Sequence, residues 1–108
     1  MAYRPLQPFT PYAASTQALA VTNTSAHVAL PAATRQVMLS TIANDALCFV
    51  EFGGSGVTAV VPSGGTLGGT PINGGDAQLF SVPINATSIA AITASGTATL
   101  YITPAEGI

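Results

Sequence analysis

Short runs of β-branched and aliphatic residues recur along this chain, each closed by turn-forming residues. The runs are Gln17–Val21, Ala26–Leu30, Arg35–Ile42, Leu47–Phe52, Val57–Val61, Ala77–Val82, Ser88–Ala94 and Thr97–Thr103. They are closed by Asn23-Thr24, Pro31, Asn44-Asp45, Gly53-Gly54, Pro62-Ser63-Gly64-Gly65, Pro83, Ser95-Gly96 and Pro104. About eight strands at spacings of roughly 8–12 residues predict an all-β fold, an antiparallel β-sandwich or barrel. The strand number also fits a jelly-roll. Period-2 alternation supports the strands: Val37, Leu39 and Thr41 oppose Met38, Ser40 and Ile42, and Leu100 and Ile102 alternate with Thr99, Tyr101 and Thr103. Several strands are uncharged on both faces. One face is expected to pack the core and the other a neighbouring molecule. Thr, Val, Gly and Pro interrupt every window long enough for three helical turns.

Two segments do not read as sheet. Residues 1–16 carry Pro5, Pro8 and Pro11 with Tyr3, Phe9 and Tyr12 between them. Proline fixes φ and biases its predecessor toward extended backbone. This predicts an extended N-terminal arm lying on a partner surface, ahead of a single β domain at 17–108. A solvated tail and a cover over the chain's own sheet edge are the alternatives. Residues 62–76 read as a Gly-rich loop, anchored locally by Leu67 and Ile72.

Charge changes the picture most. Of 108 residues only Arg4, Arg35, Asp45, Glu51, Asp76 and Glu106 are formally charged, and lysine is absent. That is 6% of the chain, against about a quarter in an ordinary soluble domain. A surface of Thr, Ser, Gln, Asn, Ala and Gly suits a protein packed against many copies of something. The hydrophobic content of 48% argues against disorder. No apolar run approaches the roughly 20 residues of a spanning helix, so no membrane partner is expected. The N-terminus lacks an apolar signal core, and synthesis in a cytoplasm is expected. Two arginines at net charge −2 give no basic footprint for nucleic acid.

Chemistry finds little purchase. The lone Cys48, within Leu47-Cys48-Phe49-Val50, reads as a small buried hydrophobe. A P-loop needs a lysine, and Thr66–Thr70 runs into Pro71 rather than into a helix, so the glycines are loops rather than a nucleotide cradle. His27 is the only histidine, and Asp45 and Asp76 sit where Asx turns form. The carboxylates are dispersed, without the spacing of a metal site or a glycosidase pair. No enzyme activity, catalytic residue, metal or cofactor is expected. Asn23-Thr24-Ser25 and Asn85-Ala86-Thr87 match the glycosylation tripeptide by chance. Arg35 and Glu51 stand in neutral strands, where they would pair across a sheet or set register across an interface. Arg4 has the same two options, and the intermolecular one is favoured.

Several strings together carry a resemblance: Pro5–Pro11 with its aromatics, Thr34-Arg35-Gln36-Val37, Cys48-Phe49-Val50-Glu51-Phe52-Gly53, Phe80-Ser81-Val82-Pro83, and residues 96–107 (GTATLYITPAEG). They resemble the small neutral β-proteins encoded among the virion structural genes of tailed bacteriophages. Within that group the chain is similar to capsid cement or decoration proteins with a jelly-roll or β-sandwich body. The resemblance covers most of residues 5–107 and is one of style and short strings; the family has no catalytic residues to carry over. It implies a place on the capsid exterior of a virion, bound to the major capsid protein and to copies of itself as a dimer or trimer, bridging neighbouring capsomers. Tyr3, Arg4, Phe9 and Tyr12 are the expected contact residues. The alternative is a tail or receptor-binding fibre component touching host glycans; a third reading is a carbohydrate-binding module of a secreted enzyme. Both glycan readings want exposed aromatics. Here Trp is absent, and Phe49, Phe52, Phe80 and Tyr101 fall in strands as core candidates.

Overall fold

A computed structural model describes residues 10–11, 14–32 and 34–106. Every regular element among them is a strand: β1 (Thr10–Pro11), β2 (Gln17–Val21), β3 (Ala26–Ala29), β4 (Gln36–Ser40), β5 (Cys48–Gly53), β6 (Thr70–Ile72), β7 (Ala77–Ser81), β8 (Ser88–Thr93) and β9 (Ala98–Glu106). All pairings are antiparallel. β1 and β2 share one edge of β9, at residues 105–106 and 98–102 respectively. The first sheet is therefore four strands wide, β1/β2–β9–β4–β7, and the second runs β3–β8–β5–β6.

The alternation seen in the sequence decides which face goes inward. Leu19, Val21, Val37, Leu39, Leu100 and Ile102 of the first sheet meet Cys48, Val50, Ile72, Ile89 and Ala91 of the second in one buried cluster. Each fully buried aliphatic side chain there contributes about 1.5–3 kcal/mol. Phe52 and Phe80 join the sheets at a centroid distance of 6.1 Å and a tilt of 54°, a favourable edge-on geometry.

Several expectations are corrected. Val57–Val61 is not a strand; a short strand, Thr70–Ile72, forms instead inside the expected loop 62–76. Ile72 anchors that region in the core, but Leu67 is 92% exposed and anchors nothing. Arg35 lies beside the first sheet and Glu51 in the second, so they do not pair across a sheet. The last strand also outruns its expected end at Thr103. Pro104 falls where β9's edge has passed β2 and not yet met β1, a place in the ladder that needs no N–H donor. Thr16 and Thr103 bridge that break through their hydroxyls at 3.0 Å.

Candidate functional site

The two ends of the molecule are built differently. At one end the β4–β5, β6–β7 and β8–β9 connections are tied by side chains. Thr41, only 6% exposed, donates its hydroxyl to the Asn73 carbonyl (2.9 Å) and accepts from the Gly75 N–H (3.2 Å). Asp45 Oδ2 accepts from the N–H groups of Ile42 (3.4 Å) and Thr99 (3.2 Å). Asp45 is thus the turn-forming carboxylate expected, with an added long-range tie. Asp76 enters its turn through main-chain bonds. Asn44, at φ 75°, makes the left-handed bend, which asparagine tolerates.

The opposite end holds a groove of about 610 Å³ between the β3–β4 and β7–β8 connections. Its frame is main-chain: Leu30 N–H to Thr87 carbonyl, Val82 N–H to Arg35 carbonyl and Ala86 N–H to Pro83 carbonyl, at 2.9, 2.9 and 3.0 Å. Thr34, Arg35, Gln36, Ser81 and Asn85 supply polar lining, and Val82, Pro83 and Ile84 apolar lining. Ile84 is 89% exposed. Gln36 is buried, and its Oε1 has no hydrogen-bond partner among the described residues. An unpaired buried acceptor costs about 1–3 kcal/mol. Nothing local in the sequence marks Gln36, because its neighbours on the strand alternate normally.

The outer faces of the two sheets also differ. On the second sheet Phe49 and Ala90 point outward by alternation, yet both are buried. Residues 54–69 run beside them: Val57, Val60 and Leu67 face Glu51 and Phe52 across a shallow depression. The Ala59 N–H is held by Ser25 Oγ at 2.9 Å. On the first sheet no charged residue among the described ones occupies an outer position by alternation. Ala18, Ala20 and Leu79 are exposed there, with Met38, Tyr101 and Thr103 half-buried.

The expected contact residues Tyr3, Arg4, Phe9 and Tyr12 lie outside the described residues. Their attachment point is described: Thr10–Pro11 pairs with the end of β9, inside the stretch expected to be arm. His27 and Glu51 lie on either side of Ala90, in β3 and β5. Their main chains are two strand spacings apart, about 10 Å, and no hydrogen bond or ion pair joins their side chains. Among the described residues no group of three His, Cys, Asp or Glu could hold a metal ion, and no helix is long and apolar enough to cross a membrane. Cys48 is buried as a small hydrophobe. Burial, with the Asp45 charge second, pushes its thiol from 9.0 up to about 11. No protein-family model, curated protein or solved structure matches this chain.

Proposed function

We propose that this chain is a bacteriophage virion structural protein of the capsid cement kind. It is a small jelly-roll that binds the outer capsid surface, contacts the major capsid protein and its own copies, and bridges neighbouring capsomers. The carrying observation is the outer face of the first sheet, which among the described residues carries no charge and exposes Ala18, Ala20 and Leu79. A monomer in dilute solution gains nothing from such a face; a subunit repeated over a lattice does. A weak neutral contact made many times becomes strong through multivalency, and it loses little at high ionic strength because screening acts on charges.

The strand order supports the jelly-roll part of this reading. β2–β9–β4–β7 opposes β3–β8–β5–β6, and the chain changes sheet at every connection from β2 onward except β5–β6. Two Greek keys wound into one eight-strand body would give such an order. Among the described residues the end groove is lined by no aromatic side chain, which favours a packing role over glycan stacking.

Gold-labelled antibody against this chain, applied to intact virions, tests the reading. Label over the heads is expected, together with heads that rupture at milder osmotic shock when the chain is absent. Label confined to tails would replace cement with a tail or fibre component. Particles carrying no label would end the virion reading.

A further inference from the structure

β7 ends the first sheet, with β4 on one side and no strand among the described residues on the other. Just past its end the Val82 N–H donates to the Arg35 carbonyl at 2.9 Å, and just before its start the Asp76 carbonyl accepts from the Thr41 N–H at 3.1 Å. Bonded pairs alternate along an antiparallel ladder, so residues 76, 78, 80 and 82 turn their main-chain groups toward β4. Ala77, Leu79 and Ser81 turn theirs to the open side. Such an edge is a template for another strand, and folds usually blunt it with charge, proline or a cover. β7 contains neither charge nor proline. The other edges are treated differently. The Gln17 amide ties β2 to the Ala29 carbonyl of β3 at 3.1 Å, and the short β1 and β6 carry Pro11 and Pro71.

The charges around β7 complement a copy of themselves. Asp76 stands at its start and Arg35 beside its end, and neither has an ion-pair partner among the described residues. Antiparallel pairing of β7 with a second β7, centred on Leu79, sets Ala77 opposite Ser81 of the second copy. Asp76 then falls opposite Val82 of that copy, whose Arg35 is next in the same row. Cross-strand neighbours share a face, and a main-chain separation of about 10 Å is within the combined reach of the two side chains. The two-fold axis repeats the pair at the other end. Neighbouring registers are poorer. One brings Pro83, which has no N–H, opposite Ala77. The other brings Gly75, whose N–H is already given to Thr41 Oγ1, opposite Ser81. Only the centred register satisfies every open N–H and carbonyl of β7, and it packs Leu79, 51% exposed in the single chain, against its own copy.

We propose that β7 pairs antiparallel with β7 of a second copy about a two-fold axis at Leu79, with Asp76 of each chain bound to Arg35 of the other. The main-chain ladder supplies the affinity, and the two rim ion pairs fix direction and register. The interface is isologous and closes at two chains, joining both first sheets into one continuous sheet. It uses an edge rather than an outer face, and it does not depend on the virion reading. Its consequence for assembly is that two neutral outer faces come to lie side by side.

Amide hydrogen exchange of the full-length chain, read by NMR beside sedimentation over a wide range of concentration, tests the edge. Ala77, Leu79 and Ser81 should exchange about tenfold slower in the dimer than in the monomer. Gln78 and Phe80, already bonded to β4, should change little. Unchanged exchange at the three edge residues in an associated sample would overturn the proposal and assign association to another surface. Slow exchange there in the dilute monomer would place the edge's partner within the same chain and equally overturn it, as would a protein that stays monomeric throughout. Charge exchange tests direction and register. Arg35→Glu and Asp76→Lys should each weaken the dimer about tenfold, because each replaces two exposed ion pairs with like charges. An equimolar mixture of the two variants should recover the native affinity as heterodimers, since both ends then carry opposite charges again. A mixture no tighter than its components would overturn the pairing of Asp76 with Arg35.

Discussion

Thr41 shows how much of this molecule rests on single polar atoms at buried positions. Its hydroxyl serves a carbonyl and an N–H of the connection 73–76, more than thirty residues away. Thr41→Val keeps the shape and strands both partners. The expected loss is about 1–3 kcal/mol, read as a lower denaturant midpoint with an unchanged slope. Cys48 gives a second prediction at this scale. Its folded-state pKa is raised from 9.0 to about 11, so its contribution to stability is complete below about pH 9 and is lost as pH rises through 11. Thiol reagents should leave the native protein unmodified at pH 8 and react at once in denaturant. A fall in unfolding midpoint between pH 9 and 11 should be smaller in Cys48→Ala. The sequence context of Cys48 announced its burial, since Leu47, Phe49 and Val50 surround it. The partners of Thr41 were not legible, because no local pattern records which loop arrives beside it.

At the scale of elements, the exchange of Val57–Val61 for Thr70–Ile72 has a physical cause. A run of β-branched residues reads as a strand wherever it meets a pleated, half-buried surface. Residues 57–61 meet such a surface by lying against the second sheet rather than in it. Thr70-Pro71-Ile72 is too short to stand out, yet it pairs with β5 at an edge, where proline is tolerated. Gly69 makes that pairing possible: a Cβ there would lie 2.5 Å from the Val50 carbonyl oxygen. Gly69→Ala should therefore cost about 1–3 kcal/mol through overpacking against main chain. Gly54→Ala meets nothing within 4 Å and should be neutral, or stabilising by about 0.4–1 kcal/mol through the unfolded chain. Thermal melts of the two variants separate these outcomes. Comparable losses in both would mean the close approach at Gly69 is not what limits the site.

At the scale of the whole molecule, polarity is divided between two faces and two ends. Among the described residues one outer face is neutral and the other carries His27 and Glu51, and one end is tied while the other opens into the groove. The neutral face should drive self-association at micromolar concentration. Sedimentation should show a weight-average mass that rises with protein concentration and changes little between low and high salt. Leu79→Lys puts a charge at the exposed edge of that face, 51% accessible in the single chain, and should return the protein to monomer with its melting temperature nearly unchanged. A wild-type protein that stays monomeric as it is concentrated would leave the neutral face without a self-partner.

What the sequence determined by itself was periodic or compositional. Alternation at Val37, Leu39, Leu100 and Ile102 set the inward faces, turn residues such as Asn44 and Asp45 set the breaks, and the scarcity of charge set the character of the surface. These properties follow from a residue and its immediate neighbours. Only the tertiary structure decided which strands lie side by side, that β1 and β2 share an edge of β9, and that Arg35 and Glu51 belong to different sheets. It alone placed Gln36, an ordinary polar residue by pattern, in a buried row beside a groove. Those outcomes depend on pairings between residues as much as ninety-six positions apart, where what is buried depends on which distant segment comes to lie above it rather than on the residue itself.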